Sequence, residues 1–180
     1  MKKKLLLFLF FFSIPIVAQD KKTTTNGMIS FEASVPFYEA VAAENNKLHS
    51  ILNTKNGSIT FVAFIQNFIF ERSLMRDHFN ANYMESNKYP KATFKGEIEK
   101  FSILKINDNP GEYYIKGRIS IHGVTKNIRV AATLSKTKTN KIAIHSNFTL
   151  NTDDFKIDIP FMVRSKISKN VSVTVDAELQ

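Results

Sequence analysis

The segment Val171-Ser172-Val173-Thr174-Val175-Asp176-Ala177-Glu178-Leu179 decides the fold class. Every second residue is apolar and those between are polar, the pattern of a strand with one face buried and the other in water. The same period recurs toward the N-terminus. Ile142, Ile144, Ser146, Phe148 and Leu150 oppose Ala143, His145, Asn147 and Thr149, and Ile128, Val130, Ala132 and Leu134 hold alternate positions before them. Tyr113, Ile115, Gly117, Ile119 and Ile121 face away from Tyr114, Lys116, Arg118, Ser120 and His122. Near the start, Ile29, Phe31, Ala33 and Val35 alternate with Ser30, Glu32 and Ser34.

Further strands are predicted over Lys47 to Asn53, Ser58 to Ile65 and Ala92 to Phe101, which brings the total to about eight. Turn chemistry separates them at Asn56-Gly57, Asn107 to Gly111, His122-Gly123 and Thr137 to Asn140. An all-β antiparallel meander closed into an eight-stranded barrel follows, because closure removes the exposed edges of an open sheet. A two-sheet sandwich is the competing architecture.

The chain has 180 residues, 16 Phe, no Cys and a formal charge of +9. The missing Cys excludes disulfide scaffolds, thiolate metal sites and Cys nucleophiles. Lys2, Lys3 and Lys4 precede an apolar run from Leu5 to Ala18, which reads as a signal peptide (residues 1–18) cleaved after Ala18. That run is broken by Ser13 and Pro15 and is shorter than the ~20 residues that span a bilayer. A periplasmic or secreted protein is expected. Without the segment, 22 basic and 16 acidic groups remain, a charge of +6, with 12 Phe. Residues 19–26 are polar and read as a flexible leader, leaving 27–180 as the barrel domain. Lys116, Arg118, Lys126 and Arg129 are dispersed over outward positions, a solvated surface and not a nucleic-acid site. Lys136, Lys138 and Lys141 gather at one hairpin, where transient contact with a membrane surface is the expectation.

Two features break the alternation. Val62 and Phe64 make the strand through Ile59, Phe61, Ala63 and Ile65 apolar on both faces, so its outer side needs cover. A short helix from Ser73 to about Tyr83 is the expected cover, with Leu74, Met75, His78 and Phe79 on one face. The stretch from Phe64 to Phe79 is the most aromatic of the mature chain. It forms either a small satellite core or the lid of an apolar cavity.

Catalytic signals are absent. His49, His78, His122 and His145 stand 29, 44 and 23 residues apart, without metal-ligand spacing. No phosphate loop or nucleophile elbow occurs. Asp153-Asp154 reads as a solvated turn before Phe155, and Asp77-His78 has no nucleophile tied to it. No catalytic residue, metal or cofactor is expected.

Several strings occur in a telling order: Leu74-Met75-Arg76-Asp77-His78-Phe79, Tyr89-Pro90-Lys91-Ala92-Thr93-Phe94-Lys95-Gly96, Gly117 through His122-Gly123-Val124-Thr125-Lys126, and Asp154-Phe155-Lys156-Ile157. With the closing strand they resemble the YceI-like family of exported lipid-binding proteins. The resemblance implies a lipocalin-like barrel whose interior holds a long polyisoprenoid or isoprenoid quinone without chemistry being done on it. Inward Phe31, Phe61, Phe94, Ile119 and Phe148, with Phe79 from the helix, are then the expected lipid-binding lining. The alternative is a secreted stress protein or enzyme using the barrel as a scaffold for His78 and His122. An outer-membrane barrel is disfavoured, because the outward positions carry Lys, Glu and Ser.

Overall fold

The computed structural model describes residues 20–180. The expected signal peptide and its cleavage point lie outside the described residues. Ten regular elements organise the chain: β1 (Lys21–Ser34), β2 (Ala42–Asn53), β3 (Ser58–Phe64), β4 (Ile69–Phe70), α1 (Ser73–His78), β5 (Lys91–Ile98), β6 (Gly111–Ile121), β7 (Val124–Lys136), β8 (Ile142–Asn151) and β9 (Ile167–Leu179). The strands run in the order β1-β9-β8-β7-β6-β5-β3-β2, and β2 pairs back to β1. This closes an antiparallel barrel of eight strands and rules out the sandwich. β4 is a two-residue ribbon outside the ring, paired to Ala43 and Glu44 of β2.

Turn chemistry places the strands as expected. His122 and Gly123 both take positive φ, 51° and 75°, and join β6 to β7 in a two-residue hairpin that pairs Ile121 with Val124. Gly57, at φ 74°, closes the β2–β3 turn against the Phe101 ring, where a Cβ would lie 2.5 Å from the Phe101 Cβ.

Four expectations need correction. The polar stretch read as a leader is the first part of β1 from Lys21 onward, paired with β2 from Lys21↔Asn53. Its place is fixed by main-chain bonds that no apolar pattern reports, among them Thr23 N–H to Gln180 O at 2.9 Å and the reciprocal bond at 3.0 Å. β2 begins at Ala42 and not near Lys47. Asn45 hid its start: a fully buried amide that donates to Phe64 O at 3.0 Å and accepts from Lys47 N–H at 2.9 Å. β5 stops at Ile98, short of Phe101, as Lys100 turns into left-handed conformation at φ 53°. Finally, the helical segment does not cover the outer side of β3. Phe64 stays exposed there, with the His49 ring at its edge, 5.8 Å between centroids.

One end of the barrel is packed solid. Leu52, Leu134, Ile142 and Leu179 are almost wholly buried, and Ile106 plugs that end from the β5–β6 loop. Lys136, Lys138 and Lys141 belong to the β7–β8 hairpin at this same end. The wall is incomplete toward the other end, because β7 and β8 pair only between Thr133–Lys136 and Ile142–His145. Beyond Thr133 the strands part, and the Ser146 hydroxyl donates to Ala131 O at 2.7 Å in place of a ladder bond. Phe155 and Ile159, from the segment after β8, are buried in this upper region.

Candidate ligand-binding cavity

The upper barrel is hollow. A cavity of about 500 Å³ runs under the open end, lined by Ile29, Phe31, Ala63, Ile119, Phe148 and Val173 from the strands. Phe68, Phe70, Met75, Phe79 and Met84 from the β3–β5 insertion roof it. Phe155, Ile157 and Ile159 complete its wall beside the parted strands. A second chamber of about 70 Å³ lies deeper, among Phe61, Phe94, Ile115, Ile144 and Val175. Ile29, Ala63, Ala92, Ile119 and Phe148 border both spaces. Ala63 and Ala92 are cross-strand partners in β3 and β5, so two side chains that end at Cβ face the junction.

The roof is an aromatic cluster. Phe79 sits 5.0, 5.3 and 5.7 Å from the rings of Phe70, Phe31 and Phe68, and its stack on Phe31 is nearly parallel at 22°. The insertion is closed at its base by Ile65 N–H donating to Pro90 O at 2.9 Å. After α1 the chain takes a wider π-helical turn, Phe79–Tyr83. Met75, His78, Phe79, Tyr83 and Met84 all reach the cavity, whereas Leu74 is left in solvent. The aromatic stretch thus serves as roof and as a second core cluster together with Leu48 and Val175.

His122 fastens this roof to the wall. Its Nδ1 lies 3.2 Å from Phe155 O and its Nε2 lies 2.9 Å from a Glu85 carboxylate oxygen, with the Tyr89 ring edge-on at 4.7 Å. Both partners are acceptors, so the two bonds coexist when each ring nitrogen carries a proton. Replacing His122 by Asn, which tolerates the positive φ, is expected to leave the hairpin intact and release the roof. The lost bonds cost about 1–3 kcal/mol. Hydrogen exchange should accelerate over residues 79–90 and stay unchanged in β9.

Polar side chains are a minority of the lining: Tyr38, Glu39, His78, Tyr83, Asn151, Thr152, Lys166 and Ser168. Burial pushes the Tyr83 phenol above its usual pKa, which keeps an uncharged hydroxyl in the roof. The Thr152 hydroxyl is shielded from water and has no hydrogen-bond partner in the protein. A ligand matching these walls is apolar over most of its length, with any polar group at one end.

Of the lining residues expected from sequence, Phe31, Phe79, Ile119 and Phe148 border the large cavity. Phe61 and Phe94 border the deeper chamber. The two differ in role. Phe94 is buried over the facing pair Gly96 and Gly117, and Phe61 is half-buried. Phe94→Ala is expected to cost about 3–5 kcal/mol in a denaturant melt, the usual loss for a core Phe. Phe61→Ala should cost less and enlarge the deeper chamber.

The candidates for catalysis do not form a unit. Asp77 pairs with Arg76 at 2.8 Å, and His145 pairs with Asp176 on the outer wall at 2.7 Å. Asp153 and Asp154 turn apart to Lys169 and Lys126. Among the described residues no three His, Asp or Glu converge in a metal-binding group, and no helix is long and apolar enough to cross a membrane.

A closed eight-stranded barrel with a roofed apolar interior defines the architectural class. The YceI-like domain model matches residues 21–179, and the chain belongs to the YceI-like family. Solved structures share the fold at low identity. A polyisoprenoid binding domain from Saccharophagus degradans, implicated in plant cell wall breakdown, superposes with a TM-score of 0.79 at 12% identity, covering 89% of this chain and 98% of that one. Burkholderia cenocepacia BcnA gives 0.69 at 12% identity over 85% and 96% of the two chains. The YCEI protein of Campylobacter jejuni gives 0.52 at 18% identity over 100% and 99%. Among curated proteins none matches the sequence.

Proposed function

We propose that the protein is an exported, non-catalytic carrier of a long apolar lipid such as a polyisoprenoid or isoprenoid quinone. The observation that carries this reading is the 500 Å³ cavity with its predominantly apolar walls. Burial of a chain-like ligand there is worth roughly 0.8 kcal/mol per methylene, so several isoprene units bind without any ionic contact. The Saccharophagus domain, described as polyisoprenoid binding, shares the fold and supports the choice of ligand class. Export rests on Lys2 to Lys4 and the apolar run to Ala18. Catalysis around His78 and His122 has less behind it, because both nitrogens of His122 are already engaged.

The test is extraction. Protein purified from its native host, treated with organic solvent and analysed by mass spectrometry, should release one polyisoprenoid class in near-stoichiometric amount. Protein that yields no lipid, and takes up none offered in detergent, would sink the proposal. Mass spectrometry of the secreted form should give an N-terminal peptide starting at Gln19, open or cyclised to pyroglutamate.

A further inference from the structure

Two loops at the open end hold their largest apolar side chains out in water. Phe37, at the tip between β1 and β2, is 105% exposed relative to an open chain, and Phe161 and Met162 before β9 are 84% and 88% exposed. Both tips follow a proline, Pro36 and Pro160. Phe37 also holds φ at 69°, a conformation a bulky residue rarely takes, and its ring gains no protein contact in exchange. The loops are neighbours: Ser34 pairs with Ile167, and the Lys166 ammonium lies 6.0 Å from the Tyr38 ring centroid. Tyr38, Val163 and Lys166 from these loops line the large cavity, so the apolar tips stand at its entrance.

The charge here is predominantly positive: Glu39 of the β1–β2 loop is offset by its pair with Arg72. From Lys156 to Lys169 the chain carries Lys156, Arg164, Lys166 and Lys169 against Asp158 alone. Arg164 pairs with Asp158 and Lys169 with Asp153, while Lys156 and Lys166 form no ion pair among the described residues. Isolated apolar tips flanked by free ammonium groups complement a layer with an apolar interior and an anionic surface. A flat, packed patch, as a protein partner would need, is not what these tips form.

We propose that Phe37, Phe161 and Met162 insert into an anionic lipid bilayer, so that the cavity entrance docks on the membrane and the ligand passes without crossing water. This rests on the carrier reading for its purpose, but on separate residues for its evidence: none of the three lines the cavity. It also moves membrane contact from the Lys136–Lys141 hairpin to the opposite end of the barrel.

Flotation with vesicles tests it. The protein is expected to co-float with phosphatidylethanolamine–phosphatidylglycerol vesicles, more weakly as salt rises, and poorly with phosphatidylcholine alone. The triple change Phe37→Ser, Phe161→Ser and Met162→Ser should reduce binding to anionic vesicles at least tenfold, with an unchanged melting curve and unchanged uptake of a polyprenol offered in detergent. Replacing Lys136, Lys138 and Lys141 with Gln should have little effect. Unaltered flotation of the triple variant overturns the proposal, as does a wild-type protein that fails to float and instead dimerises through these loops. A protein that floats by these residues yet takes up no polyprenol keeps the docking surface and removes the carrier.

Discussion

Ala63→Trp is expected to weaken retention of a long lipid about tenfold or more while leaving the barrel folded. Ala63 is buried in β3 and borders both chambers, opposite Ala92 of β5. The bulk of an indole has open space ahead of it, so the strain of overpacking, about 1–3 kcal/mol in a filled core, is partly relieved. The ligand then loses its path to the deeper chamber. Excluding as few as two methylenes, at roughly 0.8 kcal/mol each, weakens binding about tenfold, and a larger displaced segment weakens it further. Ala92→Phe narrows the same passage from a half-buried position and should act in the same direction. Lipid recovered per mole of protein, read beside a thermal melt, checks both. Full loading of two well-folded variants would mean that the ligand is held by the large cavity alone and does not reach the deeper chamber.

Gly117→Ala should destabilise the fold more than any single-methyl addition on the outer wall. Gly117 and Gly96 face each other across β6 and β5. A Cβ on Gly117 would lie 2.5 Å from the Gly96 Cα and 2.8 Å from the Phe94 Cζ, and inside contact distance of the Lys95 carbonyl oxygen. Two of these obstacles are backbone and cannot rotate away. A loss of about 3 kcal/mol or more is expected, which for a domain of this size is a fall in melting temperature of roughly 6–12 °C. The neighbouring Lys116→Ala is the control. Its ammonium makes only an exposed pair with Glu97, and such pairs contribute at most about 1 kcal/mol.

Period-two alternation located the strands whose inward positions are apolar, as in β6, β8 and β9. It failed where the backbone alone holds the strand or where a polar side chain is buried, as at Lys21 to Asn26 and at Asn45. The lining residues Phe31, Ile119 and Phe148 were accessible to the same reasoning because they occupy inward strand positions. Leu150, Val171 and Val173 carry the same signal and also border the cavity. Phe155, Ile157 and Ile159 were out of reach: they line the cavity because β7 and β8 part above Thr133, and no local pattern announces an unzipped seam. The Phe64-to-Phe79 stretch stood out as aromatic, but its direction of packing depended on tertiary closure at Ile65 and Pro90.

The ring closes through β1, which pairs with β2 on one side and with β9 on the other, from Met28↔Asp176 to Ser34↔Ile167. Those last contacts join residues more than a hundred positions apart. Emerging N-terminus first, the chain can zip its hairpins locally, but β1 has an unsatisfied edge until β9 has been made. Contacts of such long range are slow to form, and a strand waiting for its partner is open to pairing with other chains. The circular topology therefore leaves β1 with one unpaired edge for as long as β9 is missing, so truncation of β9 is expected to expose that edge to association with other chains.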